Sequence, residues 1–415
     1  MLRSLVATSL SYRLLVLALA IIVAGLGVLA FRSLPVDAYP DIAQTQVKMI
    51  LKAPGMTPEE VESRVITPIE REMLRIPKQA ILRSTAKYAI ADITIDFVDG
   101  TDIYWARQQV AERLTGALAE MPSSVSGGLA PISTPLSEIF MFTIDGPLDL
   151  TAKRDLLDWT IRPALRTVPG VADVNSLGGF VRTFEVRPDP VALASAGFTI
   201  ADIRSAIDSG NRNDGAGRLG QGEEALIVRA VGAVQSIGDL QMLVLANRSG
   251  KVVRLGDVAM VTMGSLTRYG AVTKDGRGEA VEGLVIALRG ADSRQVVAGV
   301  QARIDELSKT LPAGTSIKIF YDRSDLIGRA IGTVEEALLE ATVLVVILLI
   351  IFLGDWRAAA IVAVVLPMAA LITFLLMRGV GLTANLMSLG GLAIALGMLV
   401  DGAVVVVENI VERLN

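Results

Sequence analysis

The chain has 415 residues and a net charge of −4; 52% of its residues are hydrophobic and 20% charged, which suits membrane spans joined to a soluble portion and suggests no nucleic-acid partner. Cysteine and histidine are both absent, which excludes disulfides, thiolate metal sites, cysteine nucleophiles and the imidazole base or ligand. Chemistry is left to carboxylates, amines, hydroxyls and 13 methionines, and no nucleophile–base pair emerges, so an enzyme is the weakest reading.

The first apolar run, Arg13 to Phe31, is long and lacks a clear small-x-small cleavage site, so it reads as a retained transmembrane helix rather than a signal peptide. Arg3 and Arg13 precede it and put the amino terminus in the cytoplasm by the positive-inside bias. From Arg32 to about Glu335 no other spanning run occurs, and this portion is expected outside the cytoplasm. Gln46 to Leu51 alternates like a strand. Thr57-Pro58-Glu59-Glu60 then supplies an N-cap, a proline at the first helical position and a capping-box glutamate. Val61, Val65, Ile69 and Met73 form that helix's apolar face. Ile93, Ile95 and Phe97 alternate with Thr94 and Asp96 as a half-buried strand. A helix over about Asp102–Ala119 turns Ile103, Ala106, Val110, Leu114 and Leu118 inward, and a strand covers Glu138–Ile144. Such alternation fits a βαβ-rich α+β sandwich.

A repeat is legible in this region. Ile69-Glu-Arg-Glu-Met-Leu-Arg-Ile-Pro77 matches Ile161-Arg-Pro-Ala-Leu-Arg-Thr-Val-Pro169, and Gly100, Asp102, Val110, Arg113 and Pro122 match Gly290, Asp292, Val300, Arg303 and Pro312. One unit, strand-helix-strand then helix-strand, therefore occurs twice, the second copy carrying an insertion near Pro190 to Val281. Within the insertion, Gly215-Ala-Gly-Arg-Leu-Gly220 satisfies a dinucleotide-binding pattern. That pattern needs a buried strand before it and a helix after it. Polar Asn211-Arg-Asn-Asp214 precedes it and strand-like Glu224 to Val231 follows, so a glycine-rich hairpin arm fits better, and no cofactor is expected.

Three more apolar segments close the chain, at about Glu340–Leu353, Ala358–Met377 and Leu386–Val407, with Gly354-Asp-Trp-Arg357 joining the first two. The last is long enough, at about 1.5 Å per residue, to cross a hydrocarbon core of roughly 30 Å, yet it carries Asp401. An acid there costs at least ~2.5 kcal/mol on insertion scales, which points to proton or ion coupling; a structural ion pair is the plainer alternative. Gly390, Ala393, Gly397, Asp401, Val404 and Glu408 share one helix face, and its small residues are expected to admit a neighbouring helix closely.

Together, Pro35-Val-Asp-Ala-Tyr-Pro-Asp-Ile42, Pro54-Gly-Met-Thr-Pro-Glu-Glu-Val61, Asp99-Gly-Thr-Asp-Ile-Tyr-Trp-Ala-Arg107, Pro131-Ile-Ser-Thr134, Tyr321-Asp-Arg-Ser-Asp-Leu-Ile327 and Asp401-Gly-Ala-Val-Val-Val-Val-Glu-Asn409 make the chain resemble the amino-terminal half of a resistance–nodulation–cell division exporter, on the heavy-metal efflux branch that includes the copper/silver and cobalt/zinc/cadmium pumps. The resemblance implies a multi-pass bacterial inner-membrane protein: an α-helical transmembrane bundle plus α+β periplasmic porter subdomains with ferredoxin-like βαβ repeats and an inserted docking subdomain. The expected division is a first spanning helix within 1–34, porter units at 35–134 and at 135–189 with 282–330, docking at 190–281, and three spanning helices in 331–415. It also implies a homotrimer, proton influx, a heavy-metal ion as substrate, and assembly with a periplasmic adaptor and an outer-membrane channel.

By the same resemblance Asp401 and Glu408 form a proton relay, and the basic partner of Asp401 lies in a second half that a fragment of this kind lacks. Ala395-Leu-Gly397 stands where many divalent-metal pumps carry a further acid. Met387 matches one rung of the copper/silver methionine ladder, while Leu399, Val406 and Thr267 occupy three others, and Met260 and Met263 read as gap-filling residues. Alternatives are an amphiphilic-drug exporter on the same fold, against which Asp401-Gly402 replaces paired aspartates, and a non-transporting truncated half.

Overall fold

The structure is a computed structural model that describes residues 9–35, 43–134, 136–221, 224–248, 251–353 and 356–414. The Pro35–Ile42 motif beyond Pro35, and Gly354 and Asp355 of the predicted connector, lie outside the described residues. The chain divides into two compact units, Met1–Thr143 with Ile161–Ser176 and Gly283–Asn415, and Ile144–Thr160 with Leu177–Glu282.

In the first unit β1 (Gln46–Lys52), β2 (Gln79–Lys87), β3 (Ile90–Phe97) and β4 (Ser126–Leu129) form an antiparallel sheet in the order β2–β3–β1–β4. Alternation puts Val47, Met49 and Leu51 of β1 and Ile93, Ile95 and Phe97 of β3 on one buried face. Two helical stretches close over that face. The first opens at Thr57, whose Oγ1 accepts from the N–H of Glu60 (3.4 Å) while the Glu60 carboxylate accepts from the N–H of Thr57 (3.1 Å). Thr57→Ala removes this cap and is expected to cost about 1 kcal/mol, read as a lowered thermal midpoint of the purified chain.

The helix that follows differs from the expectation. Pro58–Val61 is α-helical, Glu62–Ile66 is a π-type turn, and Thr67–Met73 is α-helical again. Two features force the turn. Pro68 has no N–H to continue the ladder, and the apolar positions Val61, Val65, Ile69 and Met73 recur every fourth residue, slower than the 3.6-residue period. One extra residue resets the phase, and all four side chains are fully buried.

Gly100, at φ +80°, leads into Asp102, whose carboxylate accepts from the Trp105 N–H (2.7 Å) and starts the helix Ile103–Ala119. Its buried residues are Ala106, Val110, Leu114 and Ala117. Ala117 is buried and Leu118 half-buried against the same core, since 3.6-residue spacing from Leu114 falls between the two. Arg113 donates to the carbonyls of Glu72 and Arg75, using the free end of the preceding helix.

The chain continues through β5 (Glu138–Asp145), a helix over Leu150–Leu156, a second π-type turn at Leu157–Ile161, the short helix Arg162–Leu165 carrying Pro163, and β6 (Val171–Gly178). In the second unit β7 (Arg182–Pro188) is followed by helices Pro190–Ala196 and Ile200–Gly210, then β8 (Asn213–Gln221) pairs antiparallel with β9 (Glu224–Val231). The Gly215–Gly220 motif thus lies on a strand that runs into another strand, without the following helix a dinucleotide site requires. β10 (Val244–Arg248) pairs with β11 (Lys251–Arg254), and β12 (Ala259–Ser265) with β7. Leu193, Phe198, Ile203, Leu240 and Leu255 are among the residues that build this unit's core. A short β13 (Val272–Thr273) precedes β14 (Glu279–Ala287), the helix Ser293–Ser308 and β15 (Ser316–Asp322).

A five-stranded sheet runs β13–β14–β5–β15, with β6 also paired to β14, and its strands β6–β14–β5–β15 repeat the order β2–β3–β1–β4 with each strand replaced by its counterpart. The matched residues behave alike. Gly290 (φ +79°) precedes the N-cap Asp292 as Gly100 precedes Asp102, and Val110 and Val300 are both fully buried. So are Ile69 and Ile161, and Met73 and Leu165.

The remaining elements are four long helices, Arg13–Ser33, Arg323–Leu353, Trp356–Gly379 and Leu386–Leu414. Among the described residues three stretches are long and apolar enough to cross a membrane, Arg13–Ser33, Ala360–Gly379 and Leu386–Ile410. Trp356–Gly379 packs against each of the other three helices and runs unbroken through Pro367.

Candidate functional site

Asp401 and Glu408 lie on one continuous helix, Leu386–Leu414, seven residues or about 10.5 Å of axial rise apart. The helix is fixed at its start by a cap that the apolar run alone did not reveal. The buried Asn385 side chain accepts from the N–H groups of Met387 and Ser388 (both 3.0 Å), and the Ser388 hydroxyl accepts from the Asn385 N–H (2.8 Å). Asn followed three residues later by Ser, ahead of an apolar run, is the signal for it. Gly381 (φ +72°) turns the chain before the cap. The N–H of Ala384 reaches the carbonyl of Pro35 (3.0 Å), and Arg378 donates to the Ser33 hydroxyl (2.6 Å). The first bond ties the start of the last helix to the end of the first, and the second ties the end of the middle helix Trp356–Gly379 to the same place.

Leu389, Leu392 and Leu396 then pack with Leu366, Phe374 and Met377 of the preceding helix, and Phe374 meets Phe31 of the first helix at 4.8 Å between ring centres. The helix is therefore held by its leucines. The small-residue face expected to be packed is a different one, roughly 100° round, because Gly390 and Gly397 each follow a packed leucine by one residue. A Cβ at Gly390 or Gly397 would meet nothing within 4 Å among the described residues. Gly397 and Glu408 are exposed, and Ala393 and Val404 are half-buried. Val404 of the same row packs against the leucine cluster, and the side chain of Asp401, four residues on from Gly397, lies outside the described residues.

Met387 stands in the first turn of the same helix with 72% of its surface exposed, well separated in sequence from Asp401. Among the described residues no group of three or more acidic residues is arranged to hold a metal ion. Thioether donors suit a soft monovalent ion, whereas a hard divalent ion would require oxygen ligands.

The family profile described as the AcrB/AcrD/AcrF family matches residues 5–415. The chain is 40% identical to the cobalt-zinc-cadmium resistance protein CzcA of Cupriavidus metallidurans (strain ATCC 43123 / DSM 2839 / NBRC 102507 / CH34), with 100% of the chain and 40% of that protein aligned. It is 37% identical to the cation efflux system protein CusA of Escherichia coli (strain K12), over 98% of the chain and 39% of that protein. A solved structure of a heavy metal efflux pump superposes with a TM-score of 0.89 at 34% identity, covering 99% of this chain and 41% of that one. The chain thus spans about two-fifths of the length of these relatives. With 98–100% of the chain aligned to these relatives and residues 5–415 matched by the profile, it belongs to the AcrB/AcrD/AcrF family of resistance–nodulation–cell division proteins, on the heavy-metal efflux branch.

Proposed function

We propose that this chain is part of a proton-driven inner-membrane permease that exports heavy-metal cations. The observation that carries the reading is identity of 37–40% along the chain to proteins named for cation efflux and for cobalt, zinc and cadmium resistance. On this reading the four long helices span the membrane, and the two sheets that share a four-strand order are ferredoxin-like porter units, at 35–134 and at 135–189 with 282–330. The intervening 190–281 is the docking insertion that carries the β8–β9 arm. Three copies assemble, and they work with a periplasmic adaptor and an outer-membrane channel.

Asp401 is the proton carrier. Burial raises a carboxyl pKa and a facing cation lowers it, so an acid set between the two can load and release a proton as helix packing changes. The unfilled space beside Gly390 and Gly397 supports this assignment, since it leaves room for a further helix bearing the cation. Protonation would break that pairing and let the helices shift. Glu408 continues the relay towards the cytoplasm, and Met387 is the metal-ligand candidate that the resemblance to the copper/silver pumps picks out in the helix.

The test is ion retention in a metal-sensitive host lacking its own exporters, expressing the reading frame that contains this chain. Copper, silver, zinc, cobalt, cadmium and nickel would each be measured. Lower retention of one ion class supports the reading and separates monovalent from divalent export. Unchanged retention of all six, with protection against dyes or detergents, overturns it in favour of amphiphile export.

A further inference from the structure

The outward face of the first sheet, opposite its core, carries a recess of about 520 Å³ that the export reading does not use. Across it, register aligns Arg83 of β2, Thr94 of β3 and Lys48 of β1 in one row. Arg107 enters from the helix Ile103–Ala119, and Ser133 and Thr134 close the opposite wall. The lining thus has three cations and a single carboxylate, Asp92, which is already paired with Lys48 at 2.9 Å. Arg83 is paired with the buried Asp96 at 2.6 Å.

Arg107 differs from both. It is half-buried, and its hydrogen bond is to a neutral group, the carbonyl of Ala130 (2.5 Å). Burial alone lowers its pKa, as expected of a guanidinium that has lost water without gaining a carboxylate. A planar guanidinium retains several N–H donors beyond the one spent on a carbonyl, and these match an oxyanion bidentately. Hydroxyls of Thr85, Thr94 and Thr134 add neutral donors around the same space. A bare metal cation would meet three positive groups there, so the recess does not suit the proposed cargo.

We propose that this recess binds a small, multiply charged oxyanion, with Arg107 as its principal ligand and Lys48 and Arg83 on its rim. The site is independent of the assignment of Asp401, and its failure would leave the export reading untouched.

The test is isothermal titration of the full chain in detergent at neutral pH, with inorganic phosphate and citrate as separate probes. The expected result is saturable binding of at least one probe at one site per chain. Arg107→Gln should weaken it roughly tenfold or more, the loss typical of a charge-assisted hydrogen bond. Lys48→Gln, at a more exposed position, should weaken it less and serves should Arg107→Gln not fold. Arg71→Gln, an exposed cation on a different helix, should leave binding unchanged. No saturable heat from either probe overturns the proposal. Equal affinity in the folded Arg107→Gln and Lys48→Gln chains, or equal weakening by Arg71→Gln, would show a diffuse charge effect and overturn it as well.

Discussion

Replacing Asp401 with asparagine in the full-length protein is expected to reduce metal export to the level of cells without the pump, while the protein still accumulates in the membrane. Asparagine keeps the size and most of the hydrogen-bonding capacity of aspartate but cannot exchange a proton near neutral pH. A side chain that merely filled space, or accepted a bond from a neighbour, would tolerate the change. A proton carrier would not. The substitution also leaves the facing cation of the proposed pairing without its carboxylate, so the thermal midpoint of the variant is expected to fall rather than rise. Loss of export by a variant that still accumulates in the membrane is what distinguishes a coupling acid from a structural one. Glu408→Gln is expected to slow export without abolishing it, since Glu408 is exposed near the end of the helix and water can replace it as a relay. Export at the normal rate by Asp401→Asn would remove the coupling role from this residue.

Much of the soluble architecture was legible because its signals are local. The alternation in Gln46–Leu51 and Ile93–Phe97, the Thr57–Glu60 capping box and the paired Gly100–Asp102 and Gly290–Asp292 starts all appear in the structure where the sequence puts them. The π-type turn at Glu62–Ile66 was not read, although its two causes, a four-residue apolar period and Pro68, stand in the sequence. The last helix shows a different limit. In an apolar solvent hydrophobicity no longer selects the buried face, because lipid is as apolar as leucine. The Leu389–Leu392–Leu396 stripe and the Gly390–Gly397 stripe compete on equal terms, and tertiary packing decides for the leucines within this chain. The bonds from Ala384 to Pro35 and from Arg378 to Ser33 depend on where the first helix ends, which pairs segments too distant in sequence for spacing to reveal.

Gly27 is the position where an added side chain should propagate farthest. The helix Arg13–Ser33 crosses Trp356–Gly379 there so closely that a Cβ at Gly27 would lie 2.6 Å from the Cβ of Leu371 and 2.8 Å from its carbonyl oxygen. Backbone stands in the way, so rotamer changes cannot make room and the helices must separate. Gly27→Leu is expected to destabilise the helical part by about 1–3 kcal/mol, the usual range for overpacking. The middle helix carries Leu366, Phe374 and Met377, which hold the leucine stripe of the Asp401 helix. Displacing it should therefore lower export as well, with Asp401 itself intact. Gly25→Leu is the control: two residues away on the same helix, exposed, with nothing within 4 Å of an added Cβ, it should leave both properties unchanged. The measurement is the thermal midpoint in detergent beside metal retention in cells. A fall in both for Gly27→Leu alone ties the position of the acid-bearing helix to this crossing; equal behaviour of the two variants would detach it.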